Sequence, residues 1–242
     1  MPYIENPKTK GSGIVTAIPQ KGLCPNRCED CFFQSGRSYL EPLKENLPNI
    51  PVRTEGRVVR VNDGNDSNVQ RETVENVVRV NGWRDYFYNT AIPQRLEEFD
   101  APVVLTVNPG KKTESGAYLL KDPPKNLMFV RFRTNTFNLR LADFVIKHYS
   151  VREVPIVLTF MAYFNMPVWF RADQPDYVFR KRTLNSYWAI TTEAWEQVMK
   201  RYRLNCWVHS CGKIEGESGT TACRHCGNCL REYFATRERM RS

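Results

Sequence analysis

Four short runs of the chain are almost continuously apolar: residues 14–18, 103–107, 127–130 and 156–160. A strand with one wet face alternates apolar and polar positions, whereas a strand covered on both faces does not. These runs therefore read as strands of a buried parallel sheet. With two further β-rich segments they predict six strands, over Gly13–Ile18, Arg57–Asn62, Tyr86–Ala91, Pro102–Val107, Leu127–Phe132 and Val154–Phe160.

Between the runs the period changes to that of a helix. In Asn68–Val80, the residues Val69, Val74, Val77 and Val78 form an apolar stripe that Asn81-Gly82 stops. Asn138–His148 gathers Leu141, Ala142, Val145 and Ile146 on one side, with Lys147 and His148 as favourable charges in its last turn. Thr192–Arg203 repeats Trp195, Val198, Met199 and Tyr202 on one face, with Glu193 early and Lys200, Arg201 and Arg203 late. Alternating β and α elements predict an α/β sheet with crossover helices. Six strands are too few for an eight-stranded barrel, so the expectation is an open or partial barrel. Gly110–Lys125 and Met166–Arg182, rich in Gly, Pro and charge, read as loops of the length used for lids.

With 41% hydrophobic and 12% aromatic residues, the 242-residue chain can bury one sizeable core. The expected division is a main domain over 1–203 and a small cysteine-rich extension over 204–242. No apolar run approaches the ~18 residues of a membrane span. The first residues also lack a signal-peptide core. The expectation is a soluble cytoplasmic protein with no membrane partner. The net charge of +9 admits a nucleic-acid partner without favouring one, because acidic residues are interspersed with the basic ones. It leans toward an anionic or phosphorylated substrate.

The cysteines change the picture most. The eight fall at 24, 28, 31, 206, 211, 223, 226 and 229, in two tight groups. Disulfide frameworks belong to short secreted domains, so such clustering points to metal ligation. The first group, Cys24, Cys28 and Cys31, follows a strand with spacing C-x3-C-x2-C. Three thiolates hold three corners of a cubane and leave the fourth iron open; a zinc site borrowing a distant ligand is the alternative. In the second group, Cys223, Cys226 and Cys229 match the first three ligands of a ferredoxin-type run. A fourth thiolate comes from Cys206 or Cys211, and Cys211 is favoured because Gly212 and the Gly/Ser-rich 216–220 allow the chain to return. A zinc ribbon of Cys206, Cys211, Cys223 and Cys226 competes, with His209 or His225 able to replace a thiolate.

A strand followed by Cys24-Pro25-Asn26-Arg27-Cys28-Glu29-Asp30-Cys31 resembles the signature of the radical S-adenosylmethionine (radical SAM) superfamily. The resemblance implies a partial (β/α)6 barrel around a [4Fe-4S] cluster, held by Cys24, Cys28 and Cys31, with SAM chelating the fourth iron. It implies reductive cleavage of SAM to methionine and a 5′-deoxyadenosyl radical, which abstracts hydrogen from a substrate. A small molecule, a nucleotide or a peptide all suit that chemistry, and an electron donor such as flavodoxin or ferredoxin is implied. Where the family carries an aromatic before the third cysteine this chain has Asp30, and Phe33 is the candidate adenine contact. Asn62, Asp63, Gly64 and Asn65 occupy the place of the family's Gly-rich stretch for the SAM amino group. Thr106 and Asn108, and then Arg131, Arg133 and Thr134, end strands from which the ribose and carboxylate are reached.

The C-terminal group is similar to the auxiliary-cluster extension of many members, a second [4Fe-4S] relaying electrons or shaping the fold. A reading of another class is a non-catalytic zinc- or iron-binding module that docks nucleic acid through the basic C-terminal region.

Overall fold

The computed structural model describes residues 2–28, 31, 48–163, 175–181, 186–212 and 222–242. Within them the strands are β1 (Ile14–Ala17), β2 (Val58–Val61), β3 (Tyr86–Thr90), β4 (Val103–Val107), β5 (Leu127–Thr134), β6 (Ile156–Phe160), β7 (Tyr177–Arg180), β8 (Tyr187–Ile190) and β9 (Val208–Ser210). The helices are α1 (Arg71–Val80), α2 (Lys111–Glu114), α3 (Leu139–Ser150), α4 (Thr192–Tyr202), α5 (Cys223–Cys226) and α6 (Asn228–Arg241).

Seven strands form one parallel sheet in the order β1-β2-β3-β4-β5-β6-β9, so spatial order follows chain order throughout. Parallel crossovers are right-handed, and a sheet wound in one direction places its crossover helices on one face. The sheet curls into a half-barrel about the other face. On the helix side Val59, Val61, Leu105, Val107, Val130, Phe132, Ile156 and Leu158 pack against Val74 and Val78 of α1 and Val145 and Ile146 of α3. Because side chains alternate along a strand, the neighbouring residues fall on the inner face. There Val58, Phe87, Val104, Phe129 and Val157 form a second apolar cluster that Tyr233 of α6 closes.

Two residues further along the same strands, the inner face turns polar: Arg60, Asn89, Thr106, Arg131 and Thr159. The concave side is thus apolar toward the strand starts and polar toward their carboxyl ends, where ligands of α/β sheets gather.

All six expected strands form, and the expected count of six becomes seven. The seventh, β9, is three residues long and pairs with Ile156–Leu158 at the edge of the sheet. It lies on the C-terminal side of residue 203, so the cysteine-rich segment shares the sheet of the main fold. The segment 166–182, expected to be a loop, contains β7, which pairs antiparallel with β8. Tyr177 anchors that hairpin by burial beside Tyr163 and Phe137. The basic tail is the 14-residue α6, whose buried positions are Asn228, Glu232, Tyr233 and Thr236. Among the described residues no helix is long and apolar enough to cross a membrane.

Candidate metal and cofactor sites

The chain leaves the carboxyl end of β1 through a bridge in which Ile18 and Asn49 exchange main-chain hydrogen bonds at 2.9 Å. Gln20 then fastens this segment to the loop after β2. Its buried amide donates to the carbonyls of Asp66 at 2.8 Å and Val69 at 2.9 Å. Asp66 is fixed in turn, accepting from the Thr90 hydroxyl at 2.7 Å and from the N–H groups of Ala91 at 2.6 Å and Asn68 at 2.9 Å. Burial nevertheless holds the Asp66 carboxyl above the ordinary carboxylate range.

On this footing sit Cys24, Cys28 and Cys31, all half-buried. The Asn26 amide donates to Cys28 Sγ at 3.3 Å and faces Asp66 at 3.5 Å, and the Cys31 N–H donates to the Cys28 carbonyl at 3.2 Å. Burial pushes the Cys24 thiol up to about 11, with Asp66, Cys28 and Cys31 adding to the effect. Burial also raises Cys28, as do Cys31 and Asp66, while Arg133 and Lys112 oppose the rise. These shifts favour the neutral thiols, so a bound cation would have to displace their protons. Leu23, Cys24, Pro25 and Arg27 line an open cavity of about 490 Å³ beside them.

The second group assembles lower in the half-barrel. Cys211, Cys223, Cys226 and Cys229 line one pocket together with Arg60 and Arg131. Several bonds hold the segments there. The Cys211 N–H donates to Leu158 O at 2.9 Å, the Cys223 N–H to Lys8 O at 2.8 Å, and the Asn228 amide to Ser210 O at 2.7 Å. The Gly212 N–H points at Cys226 Sγ at 3.1 Å. Gly227, between α5 and α6, has φ of 61°, a left-handed turn that glycine adopts without strain and that brings Cys229 back to the pocket. Burial pushes the Cys223 thiol up to about 12 and raises Cys229 as well. Among the described residues no group of three or more His, Cys, Asp or Glu side chains is arranged to hold a metal ion.

Cys206 stands apart. It is exposed in the turn before β9, whereas Cys211 follows that strand, and Cys206 is not among the residues that line the pocket. The structure therefore does not bring Cys206 to the pocket lined by Cys211, Cys223 and Cys226. His209 lies half-buried on β9, where burial and then Arg231 lower its pKa. His148 contacts the Leu120 carbonyl at 2.8 Å from the end of α3.

The remaining candidates separate into two levels. Asp63 pairs with Arg60 at 2.9 Å and accepts from the Asn6 amide at 2.5 Å, so its carboxylate faces the lower pocket. Asn62 has φ of 63° and donates to the Ser67 hydroxyl at 3.1 Å, turning the chain so that Gly64 and Asn65 stay accessible. Arg131 donates to Asn89 Oδ1 at 2.8 Å and also belongs to the lower level. Arg133 donates to Asn108 Oδ1 at 2.8 Å and acts on Cys28 above. Thr106 is paired in register with Arg131 on the inner face. Thr134 is buried and follows Val130 and Phe132 onto the opposite face. Phe33 and Asp30 lie outside the described residues.

Sequence reasoning missed Gln20, Asn26, Arg60, Asn89 and Lys112. One signal was available: Arg60 interrupts the otherwise apolar run Val58-Val59-Arg60-Val61. Comparison with protein-family models, curated proteins and solved structures finds no match.

Proposed function

We propose that the chain is a radical SAM enzyme whose reaction centre is built on Cys24, Cys28 and Cys31. The observation that carries this reading is the three-thiol set itself. It follows the first strand of a curled parallel sheet, borders an open cavity, and has no further cysteine from 32 to 205. Three thiolates suit three irons of a cubane and leave one iron for a ligand that is not protein. The cluster, when bound with SAM, supplies the electron that cleaves SAM to methionine and a 5′-deoxyadenosyl radical able to take hydrogen from a substrate.

The chain's own groups then divide the binding work. Gly64 and Asn65 offer an accessible polar turn beside the thiols for the amino group. Arg133, steadied by Asn108, is the cation best disposed toward the SAM carboxylate, since it already acts on Cys28. Arg131 and Asp63 turn to the lower pocket and take no part in SAM binding. Cys211, Cys223, Cys226 and Cys229 hold a second [4Fe-4S] cluster, which the C-x2-C-x2-C spacing favours over zinc. A flavodoxin- or ferredoxin-type protein supplies electrons, and the basic surface favours an anionic substrate.

A nucleic-acid module is the weaker reading because three of the four arginines of α6 are engaged within the fold. Arg239 donates to the carbonyls of Lys125 and Leu127, Arg237 to the Tyr233 hydroxyl, and Arg231 to Glu232. Anaerobic reconstitution tests the proposal. It expects about eight irons per chain, two cubanes, and 5′-deoxyadenosine formed from SAM under reduction. Bound zinc with no 5′-deoxyadenosine contradicts it.

A further inference from the structure

The lower pocket holds more positive charge than its protein partners balance. Arg60 and Arg131 both line it with the four cysteines. Arg60 pairs with Asp63 through one terminal nitrogen at 2.9 Å, but its Nε is buried without a hydrogen-bond partner. Arg131 is only 7% exposed. Its partners among the described residues are the neutral amide oxygen of Asn89 at 2.8 Å and the face of Phe129 at 5.6 Å. Burying a guanidinium beside a second guanidinium and against neutral groups is unfavourable unless an anion completes the site.

We propose that Arg60 and Arg131 form a cationic wall that binds the anionic cluster of the four-cysteine pocket and sets its reduction potential, Arg60 through an N–H···S bond and Arg131 through its charge. The inference rests on the reading of that pocket as an iron–sulfur site. Four thiolates outweigh the positive core they surround, so the bound group is an anion, and one-electron reduction makes it more so. Hydrogen bonds to the sulfurs and nearby charge are the levers a protein has over such a potential. A buried cation favours the reduced form and raises the potential. Both arginines are therefore positioning residues for the cluster rather than groups that touch substrate.

The experiment uses the full chain carrying Cys24→Ala, Cys28→Ala and Cys31→Ala, so that all iron reports on the lower pocket. Iron and acid-labile sulfide are counted after anaerobic reconstitution, and the potential is read by an EPR-monitored redox titration. The proposal expects Arg131→Met to retain iron and sulfide and to lower the midpoint potential, with Arg131→Lys remaining close to the parent. Arg60→Lys, which keeps charge but removes the Nε donor, is expected to lower the potential by less. If Arg131→Met loses the cluster while Arg131→Lys retains it, the charge is needed for binding and the proposal stands. An unchanged potential in Arg131→Met, or loss of the cluster in both Arg131 variants, overturns it. A parent that takes up no iron and sulfide overturns the iron–sulfur reading itself, and the proposal with it.

Discussion

The side-chain amide of Gln20 donates to the main-chain carbonyl of Asp66 at 2.8 Å, tying the segment that precedes the first cysteines to the turn after β2. The same nitrogen also reaches Val69 O, so one buried side chain satisfies two carbonyls of a loop with no strand or helix of its own. This fastening positions the three thiols over the polar end of the inner face.

Gln20→Ala leaves both carbonyls without their donor. It is expected to cost about 1–3 kcal/mol of stability, read as a lower urea midpoint. Iron bound by the first cysteine group should fall while iron in the lower pocket persists. Full iron at both sites with unchanged stability would show that the loop is held by other contacts.

Tyr233 tests whether α6 belongs to the core. It is fully buried, its ring centroid lies 6.3 Å from that of Phe87, and its hydroxyl donates to Asp85 at 3.0 Å. Tyr233→Ala is expected to cost about 3–5 kcal/mol, as for other large aromatic truncations, and Tyr233→Phe about 1 kcal/mol. Chemical denaturation measures both. A loss well under 1 kcal/mol for Tyr233→Ala would make α6 peripheral.

The same helix marks where the sequence was hard to read. Four of the six predicted strands were legible because burial on both faces leaves nearly unbroken apolar runs, as in Val103-Val104-Leu105, and the other two from their β-rich composition. Helix α6 was not, because its buried positions include Asn228, Glu232 and Thr236, and an apolar stripe signals only an apolar contact. Strand β9 was too short to carry a period, and its central residue is His209. For the sites, spacing identified both cysteine groups, whereas Arg60 and Arg131 meet only through the curl of the sheet.

Asp143 on α3 predicts an acid-side effect. It accepts from Arg201 Nε at 3.0 Å and from the Tyr202 hydroxyl at 2.8 Å, and the Arg201 bond chiefly holds its carboxyl below the ordinary value of 3.8. A lowered folded-state value contributes stability above that ordinary value. The contribution is lost as pH falls through the lowered one. Asp143→Asn should lower stability slightly at pH 7 and flatten the profile below about pH 4. A mutant profile parallel to that of the parent would contradict the pairing.

Cys206 and Cys229 give a contrast within the second group. Cys206→Ser should leave the metal content unchanged, since that residue is exposed away from the pocket, and Cys229→Ser should abolish the cluster signal there. Elemental analysis and EPR of the anaerobic protein read both. Loss of metal in Cys206→Ser would replace Cys211 as the fourth ligand.

The central claim is that Cys24, Cys28 and Cys31 hold a cluster that cleaves SAM. The most direct measurement is 5′-deoxyadenosine formation by the reconstituted, reduced full chain beside its Cys28→Ala variant, with iron counted in each. The account predicts product from the parent, none from Cys28→Ala, and retention of the lower-pocket iron in that variant. Equal product from both proteins, or none from a fully iron-loaded parent, would contradict it.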